Sequence, residues 1–293
     1  MTVSEPRGRV YVVSTPIGNL EDLSPRALRV LREADLIACE DTRRTGRLCT
    51  HFGVSTRRLS LHAHNEERRL PELLRRLAAG AQIALVSDAG TPLLSDPGAR
   101  LVRAALAEGH EVIPVPGPSA ILAALVASGL DLRPFSFVGF LPRKGRARST
   151  WLERLRELPG TLVLFEAPGR VSATLSDLHA ALGPRPVVVA RELTKRFEQV
   201  WRGRLGEPAP IPQRGEFTLV IGGPEAEASL DPTSVGSSEE PPVAQRAAAL
   251  LARGFSPRDA ARELAEQARI PRSQAYREVL AALRAASPVG RES

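Results

Sequence analysis

Lysine is almost missing from this sequence. Lys144 and Lys195 are the only two among 40 basic residues, so arginine carries nearly all the positive charge. The codon usage of a GC-rich genome accounts for that choice, although arginine also suits planar, bidentate contacts with phosphate. Cysteine is as scarce. Cys39 and Cys49 stand alone; their spacing fits no metal motif and two cysteines make no disulfide framework, which points to a reduced, cytoplasmic compartment. No apolar run approaches membrane-span length. A signal peptide is not expected, because residues 1–8 are polar and the run at 10–13 is too short for a hydrophobic core segment. A G-x-G-x-x-G fingerprint and a P-loop are both absent, and no internal repeat is visible.

What is present is ample for folding. The chain has 293 residues, 43% of them hydrophobic, which allows two ordinary domains and a small appendage. The net charge of +7 is unevenly spread. Residues 224–242 hold five acids and no base, whereas residues 243–293 hold nine arginines and five acids. Two basic segments flanking an acidic connector favour a polyanionic partner, though charge alone does not identify one.

Short apolar runs alternate with helical patterns, which predicts parallel sheets with crossover helices. Strands are expected at 10–14, 36–39, 83–87 and 112–115. Helices are expected after Ser24-Pro25, where serine caps and proline takes the first turn, at 66–79, from Asp96-Pro97 to Gly109, and at 119–128. A second α/β unit is expected to carry strands at 135–139, 162–166, 187–191 and 217–221, with helices at 151–158 and 171–182. Residues 202–205 and 217–221 resemble a hairpin, which would make this sheet mixed. The Pro-, Ser- and Glu-rich stretch at 224–242 reads as a flexible linker. Three short helices follow, the last two resembling a helix-turn-helix.

Glycine and proline gather in loops that directly follow predicted strands: Thr15-Pro16-Ile17-Gly18-Asn19, Asp88-Ala89-Gly90-Thr91-Pro92 and Pro116-Gly117-Pro118-Ser119-Ala120. In a parallel sheet the carboxyl ends of the strands share one edge, and ligands bind in the crevice there. Any one such loop could be a tight turn chosen for geometry. Three together make a constellation.

Five blocks then occur in order: residues 12–20, Glu40-Asp41-Thr42-Arg43, residues 87–98, residues 116–120, and Ala190-Arg191-Glu192-Leu193-Thr194-Lys195. In these the sequence resembles the ribosomal RNA small subunit methyltransferase I family, a branch of the tetrapyrrole methylases, over about residues 9–223. The resemblance implies two α/β domains of the tetrapyrrole methylase fold (9–117 and 118–223) with a cofactor cleft between them. Beyond the linker, 243–285 would form a small C-terminal helical domain. It implies a cytoplasmic homodimer, S-adenosylmethionine in the cleft, and a 2′-O-methylated cytidine in 16S rRNA of the 30S subunit as product. By the family pattern Pro16 and Gly18 border the cleft, Asp88, Ala89, Gly90 and Thr91 contact the cofactor, and Ser119 and Ala120 lie beside it. Phe165, Glu166, Leu193 and Thr218 supply the opposite wall.

A ribose 2′-hydroxyl is a poor nucleophile, so a nearby base or a desolvated pocket would help. Asp41, His64, Glu66, Glu192 and Lys195 are candidates, and spacing singles out none of them. Each also fits a structural or RNA-contacting role. Arg143, Lys144, Arg146 and Arg148 cluster where the second domain begins; as phosphate contacts they would give affinity without reading sequence, and otherwise they are a solvated run. Arg43 and Arg44 could meet RNA or pair internally with Glu40 and Asp41. Arg272 and Arg277 open the last helix, the end that approaches nucleic acid in a helix-turn-helix. His62, His64 and Asn65 form a polar cluster without metal spacing, so no metal is expected. Two alternatives remain: a methyltransferase of the same fold acting on a tetrapyrrole of the cobalamin or sirohaem pathways, and a non-enzymatic helix-turn-helix protein, which would leave the strand-end loops without a purpose.

Overall fold

Four-residue runs such as Leu-Ile-Ala-Cys can be apolar throughout only if both faces of the sheet are covered. In a computed structural model, described for residues 8–224, 243–252, 255–268 and 270–286, that is how they are used. The first lobe places β1 (Arg9–Val13), β2 (Leu36–Cys39), β3 (Arg58–Ser60), β4 (Gln82–Val86) and β5 (Glu111–Val115) in one sheet of order β3-β2-β4-β1-β5. All its pairings are parallel. Helices α1 (Pro25–Glu33), α2 (Thr42–His51), α3 (Glu66–Ala78) and α4 (Ala99–Ala107) are the crossovers. Ser24 caps α1 through the Ala27 N–H, and Pro25 stands in the first turn. One core cluster, with Leu31, Ile37 and Val86, covers one face of the sheet; another, with Leu73, Leu77 and Leu101, covers the other.

Helix α5 (Ala120–Ser128) leads to the second lobe. It begins at Ser119, which caps Leu122, and ends at Gly129. The second sheet contains β6 (Phe135–Phe140), β7 (Thr161–Glu166), β8 (Pro186–Arg191), β9 (Gln199–Arg204) and β10 (Phe217–Ile221) in the order β6-β7-β10-β8-β9. It is mixed: β6 runs parallel to β7, whereas β10 is antiparallel to both β7 and β8. The hairpin expected between 202–205 and 217–221 does not form. Strand β9 pairs with β8, and β10 inserts between β7 and β8. Helices α6 (Arg146–Glu157) and α7 (Val171–Leu182) pack on a core containing Leu155, Leu164 and Leu178.

Three expectations need correction. Helix α6 starts at Arg146, five residues before the predicted start. Helix α4 opens at Ala99 behind Gly98, not at Asp96-Pro97. Helix α2 and strand β3 had no sequence signal. Arg143, Lys144 and Arg146 are exposed as expected, but Arg148 is not part of that surface.

A separate compact unit contains α8 (Val243–Ala252), α9 (Pro257–Ala268) and α10 (Arg272–Ala286). Its small core is Ala247, Leu250, Ala260, Ala261, Leu264, Ala265, Ala275 and Val279. Ser256 caps α9 by accepting from the Asp259 N–H at 3.2 Å. Arg272 and Arg277 are exposed on α10. The predicted linker lies, except for Pro224, outside the described residues. No described helix is long and apolar enough to cross a membrane.

Candidate active site

The three strand-end loops of the first lobe are sewn together. Thr15 and Gly90 exchange backbone hydrogen bonds, both at 2.9 Å, and so join the loop after β1 to the loop after β4. The Ser14 and Thr91 hydroxyls lie 3.0 Å apart, and the Thr91 hydroxyl donates to the Pro118 carbonyl at 3.2 Å. The edge is thus a fixed backbone surface. Gly90 has φ +78°, a conformation that disfavours side chains, and a Cβ there would stand 3.3 Å from the Ile17 methyl.

Across this edge lies a cavity of about 390 Å³. From the first lobe it is lined by Asp88, Ala89, Gly90, Thr91, Ser119 and Ala120, all expected. The second lobe contributes Phe165, Glu166 and Thr218, also expected. These three meet because β7 and β10 are paired: Thr218 is opposite Phe165, and Phe217 is opposite Glu166. Glu166 is fixed from below. Its carboxylate accepts from the Thr174 hydroxyl at 2.5 Å and its own Ala167 N–H at 2.7 Å, with Arg170 at 3.3 Å.

Other expected residues lie beside the main cavity or behind it. Pro16 and Gly18 line a smaller neighbouring cavity with Thr15, Leu20, Arg44 and Arg47. Gly18 is pressed against the Lys195 side chain, so closely that a Cβ would come within 2.3 Å of Lys195 Cγ. Leu193 does not line the cleft; it packs in the core behind Phe165. Residues 94–96 and Phe140 were missed: Leu94, Ser95, Asp96 and Phe140 all face the cavity. Leu93 and Ser95 have φ of 76° and 70°; such backbone costs of order 1–3 kcal/mol and concentrates at functional sites. Sequence gave no sign of it.

The acids of the cleft are crowded. Asp88 accepts from the Asp41 N–H at 3.0 Å and faces Arg44 at 3.6 Å. Burial pushes the Asp96 carboxyl up to about 6, and the charges of Glu40 and Asp88 add to the rise while a hydrogen bond from Ser87 opposes it. Glu40 is raised first by burial and then by Asp88. A cationic ligand would relieve this repulsion.

The candidate bases are mostly engaged. Asp41 caps α2 by accepting from the Arg43 N–H at 2.7 Å, which holds its carboxyl below the usual range. Glu66 is buried and accepts from the Arg100 and Leu101 N–H groups at 2.9 and 3.3 Å, capping α4. Lys195 bridges Glu192 and Glu216, each at 2.9 Å. Burial alone would raise Glu192, but hydrogen bonds from Lys195 and the Glu216 N–H hold it low. Lys195 is raised despite burial by the same partners. His64 is exposed, its ring 6.0 Å from that of His62. Among the described residues no three His, Cys, Asp or Glu side chains group as a metal site.

Arg148 is nine-tenths buried. Its Nε donates to Asp177 at 2.7 Å, Nη1 to the Pro142 carbonyl at 2.9 Å and Nη2 to Thr174 at 2.9 Å. Through Thr174 it supports Glu166 under the cleft, so it is a structural cation and not an RNA contact.

The profile of the Tetrapyrrole (Corrin/Porphyrin) Methylases matches residues 9–209. The chain is 47% identical over 277 residues to the ribosomal RNA small subunit methyltransferase I of a Synechocystis species, covering 92% of this chain and 96% of the relative. It is 45% identical over 289 residues to the protein of the same name from Micromonospora olivasterospora, covering 97% and 90%. Among solved structures, the uroporphyrin III C-methyltransferase of Thermus thermophilus is similar with a TM-score of 0.55 at 25% identity, covering 73% of this chain and 97% of that one.

Proposed function

Because the chain belongs to the tetrapyrrole methylases and, within them, to the ribosomal RNA small subunit methyltransferase I family, we propose that it transfers the methyl group of S-adenosylmethionine to the 2′-hydroxyl of a cytidine in 16S rRNA. The observation that carries the reading is identity of 45–47% along nearly the whole length of these relatives, with the strand-end cavity in place. The protein is an S-adenosylmethionine-dependent methyltransferase. Its substrate is the RNA as presented by the 30S particle, and the working enzyme is a cytoplasmic homodimer.

The residues present suit the cofactor. The cavity volume lies within the usual span for such sites, roughly 300–1,000 Å³. Its walls combine apolar groups, Ile17, Ala120 and Phe165, with polar Asp88, Thr91 and Thr218, and the bare backbone at Gly90 lets a ligand approach closely. Asp88, Ala89, Gly90, Thr91, Ser119 and Ala120 would hold it from one side, Phe165, Glu166 and Thr218 from the other. When bound, S-adenosylmethionine supplies a methyl already activated on a sulfonium. The acids Asp88 and Asp96 favour a cation there, and the two lobes exclude water from the nucleophile. What the chain must add is alignment of the ribose hydroxyl with that methyl, a gain that orientation alone can make large.

The lobes at 9–117 and 118–223 share the cofactor. The helical unit at 243–285, beyond the connector at 224–242, aids substrate engagement through Arg272 and Arg277. Exposed Arg44, Arg143, Lys144 and Arg146 support a phosphate-rich partner. The test is mass spectrometry of 16S rRNA from a strain lacking the protein, followed by restoration of the lost ribose methyl on its 30S subunits in vitro. An unchanged methylation map would overturn the proposal. Sedimentation of the purified enzyme tests the dimer, and comparing naked 16S rRNA with 30S tests the substrate form.

A further inference from the structure

Helix α2 carries more positive charge than the cleft needs. Arg43, Arg47 and His51 are four residues apart, so they share one face at intervals of about 6 Å along the axis. All three are exposed. Arg58, also exposed, opens β3, the edge strand of the first sheet. With Gly46 and Thr50 these four line an open groove of about 700 Å³, and no acid is in its lining. Gly46 keeps the floor low: a Cβ there would already lie 3.8 Å from Arg58 Nε.

The groove neighbours the active site through shared arginines. Arg47 lines both the groove and the smaller cavity beside Pro16 and Gly18. Arg44 lines that smaller cavity and the main one. One helix therefore carries guanidinium groups from the methyl-transfer cleft outward to the sheet edge. The acids near it meet only its start: Asp41 pairs with Arg43 at 3.6 Å and Asp88 with Arg44 at 3.6 Å. Among the described residues no carboxylate pairs with Arg47 or Arg58. Of the described side chains Arg58 meets only the Cys49 thiol, so these two guanidinium groups keep their charge uncompensated along an acid-free groove, which suits a chain of phosphates whose condensed cations are released on binding.

We infer that the outer face of α2 and the edge strand β3 form a track for the sugar-phosphate backbone of the single RNA strand flanking the target nucleotide, with Arg47 and Arg58 as its central phosphate contacts. The inference rests on the rRNA-methyltransferase reading and adds the surface that holds the strand. The bases of that strand face away and are not read, because the groove offers charge and no base-edge code.

The test uses the full-length enzyme and 30S subunits from a strain lacking it, with binding measured by filter retention across a KCl series. Arg47→Gln/Arg58→Gln should lower the slope of log affinity against log salt by about 1.4, at roughly 0.7 per single-strand contact, and raise Kd on the order of tenfold near 0.1 M salt. S-adenosylmethionine affinity by calorimetry, the melting temperature and kcat at saturating 30S should stay at wild-type values. Arg26→Gln/Arg29→Gln on α1, both exposed and outside the groove's lining, should behave as wild type. A wild-type slope in the Arg47/Arg58 variant, or an equal loss in the α1 variant, overturns the track. Wild-type enzyme that binds 30S with the full slope yet transfers no methyl overturns the functional reading and leaves the track standing.

Discussion

Replacing Arg148 with leucine separates a buried cation from a surface one. Its three partners respond differently. Asp177 is 44% exposed and can rehydrate, so losing that pair costs little, on the scale of a surface ion pair at about 0–1 kcal/mol. The Pro142 carbonyl and the Thr174 hydroxyl lose a charged donor, at about 1.5–3 kcal/mol for each such hydrogen bond. Leucine returns part of this as apolar burial, leaving a net loss of about 3 kcal/mol. At roughly 2–4 °C per kcal/mol for a body of this size, the melting temperature should fall by about 6–12 °C. Thermal unfolding checks the first half of the reasoning, and filter binding to 30S across a salt series checks the second. Arg148→Leu should keep the wild-type salt slope. Neutralising Arg143, Lys144 and Arg146 together should keep the melting temperature and lower the slope by about 2. An Arg148→Leu enzyme that melts like wild type but loses salt-dependent affinity would refute this account.

Gly90→Val should abolish calorimetric S-adenosylmethionine binding, because the residue stands at φ +78° with Ile17 3.3 Å from any Cβ; retained affinity would remove the Gly90 backbone from the cofactor wall. Glu66→Gln keeps an acceptor for the Arg100 and Leu101 N–H groups but loses the charge at the start of α4, at about 0.3–1 kcal/mol; kcat should stay within about twofold, whereas a drop of the size a general base supplies, roughly a hundredfold, would make Glu66 catalytic. Folding raises Asp96 from its ordinary 3.8 to about 6, so the native state disfavours the charged form and stability falls as pH rises through that window. Asp96→Asn should therefore gain stability over wild type between pH 4 and 7 in denaturant titrations, and a constant difference across that range would contradict the burial argument. A chain ending at residue 230 should bind S-adenosylmethionine normally yet methylate 30S more slowly; a full rate would leave the helical unit without a role in substrate engagement.

The parallel lobe was legible because burial on both faces writes itself as unbroken apolar runs, as in the fully buried β2. Helix α2 was not, since Thr-Arg-Arg-Thr-Gly-Arg-Leu-Cys-Thr-His buries only Thr45 and Cys49 and depends on the Asp41 cap. Strand order in the second lobe was misjudged although the signal was present. Phe-Thr-Leu-Val-Ile is buried at every position, as a central strand must be, whereas Gln199–Arg204 is fully buried nowhere, as suits an edge strand. The site was legible where backbone makes it, in the glycine- and proline-rich turns, and obscure where side-chain direction decides. Arg148 shows why. As a member of the run 143–148 it is one more charge. Once α6 is allowed to start behind Gly145, whose φ is +77°, residues 148, 151, 152 and 155 fall at helical spacing on one face. Trp151, Leu152 and Leu155 pack into the second-lobe core, so the arginine in phase with them has to turn inward and find partners there. The phase of a helix, set by where it begins, therefore determines which charges of a basic run can reach an RNA.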